Sequence, residues 1–169
     1  MIAERPQVIS IIVACAGAGA IGRGGDLLFH ISDDLKRFKR LTMGKPVIMG
    51  RKTFESFPNG ALPGRRNVVI TRQADYSAPS VETAQSLDDA LSMCAGADEV
   101  FVIGGGEIYR QALPSADRIY LTEIDAEVPD ADTFMPEIDM TKWSVTEASA
   151  YMTDPRKGVR YRFVDMVSR

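Results

Sequence analysis

The segment Glu99-Val100-Phe101-Val102-Ile103-Gly104-Gly105-Gly106-Glu107-Ile108-Tyr109-Arg110-Gln111-Ala112-Leu113 decides the fold. An unbroken β-rich run, EVFVI, ends in three glycines and passes at once into the helix-like EIYRQAL. A continuous apolar run of this length suits a strand covered on both faces, not one with a solvated side. Similar runs stand at residues 8–15 (VISIIVAC), 45–49 (KPVIM) and 67–71 (NVVIT). Helix-like segments at 32–43, 53–57, 86–95 and 107–113 alternate with them. Strand following helix in this order predicts an α/β fold with one mainly parallel central sheet and helices on both faces. The C-terminal third differs: runs at 118–124, 143–150 and 159–167 have no helix between the last two. They predict an antiparallel C-terminal hairpin that closes the sheet.

The chain has 169 residues, 45% of them hydrophobic and 25% charged, enough for one domain (1–169) with a closed core. Residues 1–6 read as a frayed extension. A net charge of -3 argues against a clustered basic face, and so against nucleic acid. The two cysteines, Cys15 and Cys94, are too few for a disulfide scaffold and read as buried apolar fillers. His30 is the only histidine, which argues against both a zinc site and a His-dependent nucleophile; no metal is expected. No apolar stretch is long enough for a membrane span, and residues 1–7 lack a signal-peptide core. A cytoplasmic monomer is the expectation.

Three segments speak to chemistry. Residues 16–22 (AGAGAIG) contain the spacing G-x-G-x-x-G at Gly17, Gly19 and Gly22. A dinucleotide fingerprint must open a helix; here Arg23-Gly24-Gly25-Asp26 follows, and breaks one. A mobile loop covering a ligand is the better reading, with a plain solvent loop as its alternative. Gly104-Gly105-Gly106 is the stronger signal, because a strand–helix turn with bare backbone N–H groups invites phosphate, whereas a tight turn needs only one glycine. Glu107 would repel that phosphate unless it points away. Gly50-Arg51-Lys52-Thr53 repeats the arrangement, with Thr53 as a helix cap, and Thr71-Arg72 ends the next strand. Cations and hydroxyls at consecutive strand ends sit where open α/β sheets bind ligands, and where NAD enzymes keep an acid; they favour a 2′-phosphorylated cofactor, NADP rather than NAD.

The helix from Ser32, read as its N-cap, places Asp34, Phe38 and Leu41 on one face. Lys36, Arg37, Lys39 and Arg40 point largely elsewhere, and Asp33 faces solvent. Asp34 thus projects a carboxylate from the edge of an apolar stripe, and a carboxylate there demands a cationic or amidine-like partner. The plain alternative is that both aspartates merely favour the helix N-terminus.

Taken together, AIGRGGDLLFHISDDLKRFK, KPVIMGRKTFESF, LPGRRNVVIT, VFVIGGGEIYRQALP and IYLTEIDAEVPDADTF closely resemble the dihydrofolate reductase family, in its order and spacing, from about Ile9 to Phe163. The resemblance implies reduction of 7,8-dihydrofolate to tetrahydrofolate, with NADPH giving hydride to C6 and a proton reaching N5. It implies that Asp34 holds the pteridine ring, Arg65 grips the glutamate carboxylate of the substrate, and Ile12, Leu27, Phe38, Leu62 and Thr122 surround pterin and benzoyl groups. Thr122 is also expected to hydrogen-bond Asp34. Ala14 and the loop Ile21, Gly22, Arg23, Gly24, Gly25, Asp26 would cover the nicotinamide. Gly50, Arg51, Lys52, Thr53, Thr71 and Arg72 would hold pyrophosphate and 2′-phosphate. Gly104, Gly105, Gly106, Glu107, Ile108 and Tyr109 would form the second cofactor segment, with a cis bond between Gly104 and Gly105. Phe29 departs from the family's usual tryptophan and Leu28 from a common proline. A reductase of a ribosylamino-pyrimidine shares the fold but would not need Asp34 and Arg65 together. A non-catalytic nucleotide-binding module would not keep Asp34, Arg65 and Thr122.

Overall fold

The computed structural model describes residues 5–24 and 26–169. The strands are β1 (Val8–Cys15), β2 (Ala20–Arg23), β3 (Asp26–Leu27), β4 (Pro46–Gly50), β5 (Arg66–Ile70), β6 (Val81–Ala84), β7 (Glu99–Val102), β8 (Arg118–Asp125), β9 (Thr133–Phe134), β10 (Trp143–Ala148), β11 (Met152–Thr153) and β12 (Arg160–Ser168). The α-helices among the described residues are α1 (Ser32–Thr42), α2 (Arg51–Glu55), α3 (Leu87–Met93) and α4 (Gly106–Ala112).

The main sheet runs β10-β12-β8-β1-β7-β4-β5-β6, with β11 added beside β12. Strands β8, β1, β7, β4, β5 and β6 are parallel neighbours. β12 inserts antiparallel between β8 and β10. The parallel sheet and antiparallel C-terminal strands agree with the sequence reading. β6, an edge strand, was not foreseen: VETA is too short and too polar for periodicity to flag. A second small sheet, β3-β2-β9, was also missed, because two-residue strands leave no repeating pattern.

Period-two alternation sends neighbouring residues of one strand to opposite faces. Ile9, Ile11 and Val13 join α3 and α4 in one cluster containing Leu91, Ile108 and Ala112. Ile12 belongs to another, with Phe54 of α2 and Leu41 of α1. Helices therefore cover both faces, and Val47, Ile48 and Met49 on β4 are fully buried between them. Cys15 and Cys94 are buried and unpaired, and burial, ahead of the nearby Glu123, pushes the Cys15 thiol up to about 12.

Three local expectations need correction. Ile31, not Ser32, occupies the cap position of α1, with no side-chain cap bond. Helix α2 starts at Arg51 with Gly50 as cap, so Thr53 lies inside it; the backbone turns as soon as β4 ends. Within the expected frayed extension, residues 1–4 lie outside the described residues, but Pro6 is buried and Arg5 pairs with Asp88 at 3.1 Å.

Candidate active site

A cavity of about 550 Å³ opens at the C-terminal ends of β1, β4, β5 and β7. It is the edge that the parallel order predicts for ligands. Ala14, Ile21, Gly22, Gly50, Arg51, Lys52, Thr53, Thr71, Arg72 and Gly104 to Tyr109 line it, as does Leu27. Val13, Ser56, Ile70, Gln73, Ile103 and Thr133 line it too and escaped the sequence reading. Val13, Ile70 and Ile103 lie at strand ends, and Gln73 follows Arg72, so extending each motif outward by a residue finds most of them. Thr133 carries no such signal; pairing of β9 with β2 brings it in.

The triple-glycine turn is crowded, and that explains its glycines. The Gly104–Gly105 peptide is cis and Gly104 has φ of 128°, a region side chains avoid. A Cβ at Gly105 would stand 3.3 Å from the Thr53 hydroxyl, and one at Gly106 only 2.9 Å from the Phe134 carbonyl. The Gly104 carbonyl accepts from the Gly50 N–H at 2.9 Å, locking the two glycine segments together. Glu107 turns along its own helix to Arg110 at 2.5 Å. Arg51 pairs with Glu55 at 2.8 Å, whereas Lys52 and Arg72 are exposed and have no ion-pair partner among the described residues. Tyr109 is buried and donates to the Ile12 carbonyl at 2.8 Å; burial, and then Cys15 and Asp34, raise its phenol further from ionisation.

Of the segment expected to cover the nicotinamide, Ile21 and Gly22 line the cavity. Gly17–Gly19 is a single 3-10 turn that feeds β2 and opens no α-helix, so the fingerprint spacing is coincidental. Arg23 and Gly24 do not line the cavity. Arg23 binds Asp130 at 2.9 Å, and the Gly24 N–H donates to Asp132 at 2.9 Å. Gly25 lies outside the described residues, and Asp26 is described only as backbone in β3.

The carboxylate sits beside this cavity. The Thr122 hydroxyl donates to Asp34 Oδ1 at 2.5 Å. Thr122 on β8 pairs in register with Ala14 on β1, and Ala14 lines the cavity wall. Burial raises the Asp34 pKa; the Thr122 bond and the Arg37 charge oppose that rise, and Asp33 adds to it. Asp33 is exposed as expected, but it also accepts from the Tyr161 hydroxyl at 3.0 Å. Arg37 contradicts the expectation that it points away: it docks on the sheet and pairs with Asp165 at 2.7 Å.

The remaining predicted substrate residues lie outside the 550 Å³ cavity. Arg65 donates to the Pro63 carbonyl at 2.9 Å and to the Thr42 hydroxyl at 3.2 Å, and Thr42 in turn donates to the Phe38 carbonyl at 2.8 Å. Arg65 is therefore held from the end of the same helix that carries Asp34. Ile12 and Leu62 pack in one cluster, and Leu62 is pinned through its N–H to Asn67 at 2.9 Å. Leu27, which lines the cavity, is 51% exposed.

Residues 8–168 match the family model described as dihydrofolate reductase. The chain belongs to the dihydrofolate reductase family. It is 51% identical to the dihydrofolate reductase of Neisseria meningitidis serogroup B, over 92% of this chain and 95% of the relative. It is 50% identical to that of Neisseria gonorrhoeae over 95% and 98%, and 43% identical to dihydrofolate reductase type 3 of Salmonella typhimurium over 95% and 98%. The family's α/β fold accounts for the parallel core and antiparallel C-terminal strands. As a dihydrofolate reductase family member the chain is an oxidoreductase. No helix among the described residues is long and apolar enough to cross a membrane.

Proposed function

We propose that this enzyme reduces 7,8-dihydrofolate to 5,6,7,8-tetrahydrofolate using NADPH. The observation that carries the reading is Asp34, a carboxylate bonded to Thr122 one strand away from the cavity wall at Ala14. A half-buried acid with a single hydroxyl donor retains acceptor capacity for an amine and a ring N–H of a pterin.

The residues present fit the cofactor. Lys52 and Arg72, cations without ion-pair partners among the described residues, flank a cavity lined by glycine backbone and by Thr53 and Thr71. That donor set suits a phosphorylated dinucleotide, and the 2′-phosphate would engage Arg72 and Lys52. When bound, NADPH supplies the hydride that C6 of the dihydropterin accepts. Asp34 orients the pterin and stabilises positive charge on it as N5 is protonated, with water as the carrier of the proton. Arg65 holds the substrate's glutamate carboxylate, and Ile12, Leu62 and Phe38 flank its apolar portion. No nucleophile–base pair is required, because no covalent intermediate forms. The protein's largest contribution is to hold donor and acceptor together in a site closed to water.

The test is direct: NADPH absorbance is followed with and without dihydrofolate. Substrate-dependent oxidation is the expected result. Absence of turnover by folded protein, or equal turnover of a ribosylated pyrimidine, would overturn the reading.

A further inference from the structure

Asp34 does not hold its place alone. Along α1 it is followed three residues later by Arg37, and residues so spaced lie on the same side of a helix, about one turn apart. The two side chains grip adjacent strands of the sheet below. Asp34 accepts from Thr122 on β8, and Arg37 donates to Asp165 on β12 at 2.7 Å. Thr122 is register-paired with Phe163, and Tyr120 with Asp165, so these four residues form a square on one sheet face. The Arg37 guanidinium lies over that square, 4.3 Å from the Phe163 ring centre and 5.8 Å from that of Tyr120. Its side chain is only 13% exposed and that of Asp165 25%, so water screens this pair less than a surface ion pair.

A guanidinium stacked on two aromatic rings and tied to a carboxylate is fixed in position, unlike a solvated arginine. Its charge therefore acts on Asp34 from a constant place. The other groups that face Asp34 are Asp33 on its own helix, Tyr161 on β12 and Tyr109 on α4. Both tyrosines are neutral near pH 7, and Asp33 is acidic. Among the described residues Arg37 is the cation that acts on Asp34.

The geometry points to Arg37 as a positioning residue: clamped by Asp165 over Phe163 and Tyr120, it seats α1 so that Asp34 meets Thr122, and it holds a fixed positive charge on the side of α1 that carries that carboxylate. The inference rests on the proposed role of Asp34. It is tested separately from that role, by the titration of Asp34 in the ligand-free enzyme.

The experiment is carbon-detected NMR of the full chain labelled at aspartate carboxyls, in the parent, Arg37→Met and Arg37→Lys. Methionine keeps the apolar cover over the two rings and removes the charge; lysine keeps the charge. In Arg37→Met the Asp34 midpoint is expected to move to higher pH, and in Arg37→Lys to stay near the parent's. At pH 7 the KM for dihydrofolate should rise about 5-fold in Arg37→Met, the scale of coupling between neighbouring groups. The lysine variant should recover most of it, and the loss should begin at higher pH than in the parent as acid is added. Should Arg37→Met fold poorly by its melting curve, Arg37→Gln carries the same comparison. Coincident Asp34 midpoints in parent and a folded neutral variant would overturn the inference, as would a lysine variant shifted as far as the methionine one. Failure of the parent to reduce dihydrofolate would overturn the functional reading instead, and leave the titration result standing.

Discussion

The Thr122 hydroxyl meets Asp34 Oδ1 at 2.5 Å although 88 residues separate them in the chain. This bond joins the first helix to the strand that borders β1, at Thr122, the register partner of the cavity-lining Ala14. Replacing Asp34 by Asn preserves shape and removes charge. Single-turnover hydride transfer should fall at least ~10²-fold, the scale of a positioned acid–base group; an unchanged rate would remove Asp34 from the chemistry.

The same carboxylate has a cost for folding. Burial raises its pKa above the unfolded value, so the folded state holds the proton more tightly. The corresponding stability is present in acid and lost as pH rises through the folded pKa. At pH 7 the ligand-free Asp34→Asn protein should therefore melt a few degrees above the parent, and the gap should narrow on acidification. A lower Tm for Asp34→Asn at pH 7 would contradict this.

Lys52 and Arg72 flank the cavity without ion-pair partners among the described residues. Changing both to alanine should erode the preference for NADPH over NADH, by about 100-fold or more if two charge-assisted contacts of about 1.5–3 kcal/mol each are lost. The ratio of kcat/KM for the two cofactors measures it. A double variant with intact selectivity would relocate the 2′-phosphate site.

Arg65 is held by Pro63 and Thr42, not by any acid among the described residues. Arg65→Ala should weaken dihydrofolate binding by about 1.5–3 kcal/mol and leave a pterin without the glutamate tail unaffected. Equal losses in calorimetry with both ligands would show that Arg65 acts on the fold and not on the tail.

Gly106 abuts β9. A methyl group there would lie 2.9 Å from the Phe134 carbonyl and 3.2 Å from the Thr133 methyl. Gly106→Ala should destabilise the enzyme by about 1–3 kcal/mol through overpacking and raise the KM for NADPH. Denaturant unfolding with wild-type stability would show that the β9 segment yields freely.

Sequence by itself determined the parallel core, because unbroken apolar runs such as VISIIVAC and EVFVI are stable only when covered on both faces. It also located the glycine turn, the cationic strand ends and Asp34, since each is a local pattern with a chemical reason. Tertiary structure alone decided what depends on distant partners. Thr133 reaches the cavity only through β9–β2 pairing, and two-residue strands have no period to read. Arg37 looks like a solvated cation on α1, and only Asp165, Phe163 and Tyr120, 83 or more residues away, turn it inward. A charge buries its stem and head where a carboxylate and aromatic faces replace water, and no local spacing records where those will be.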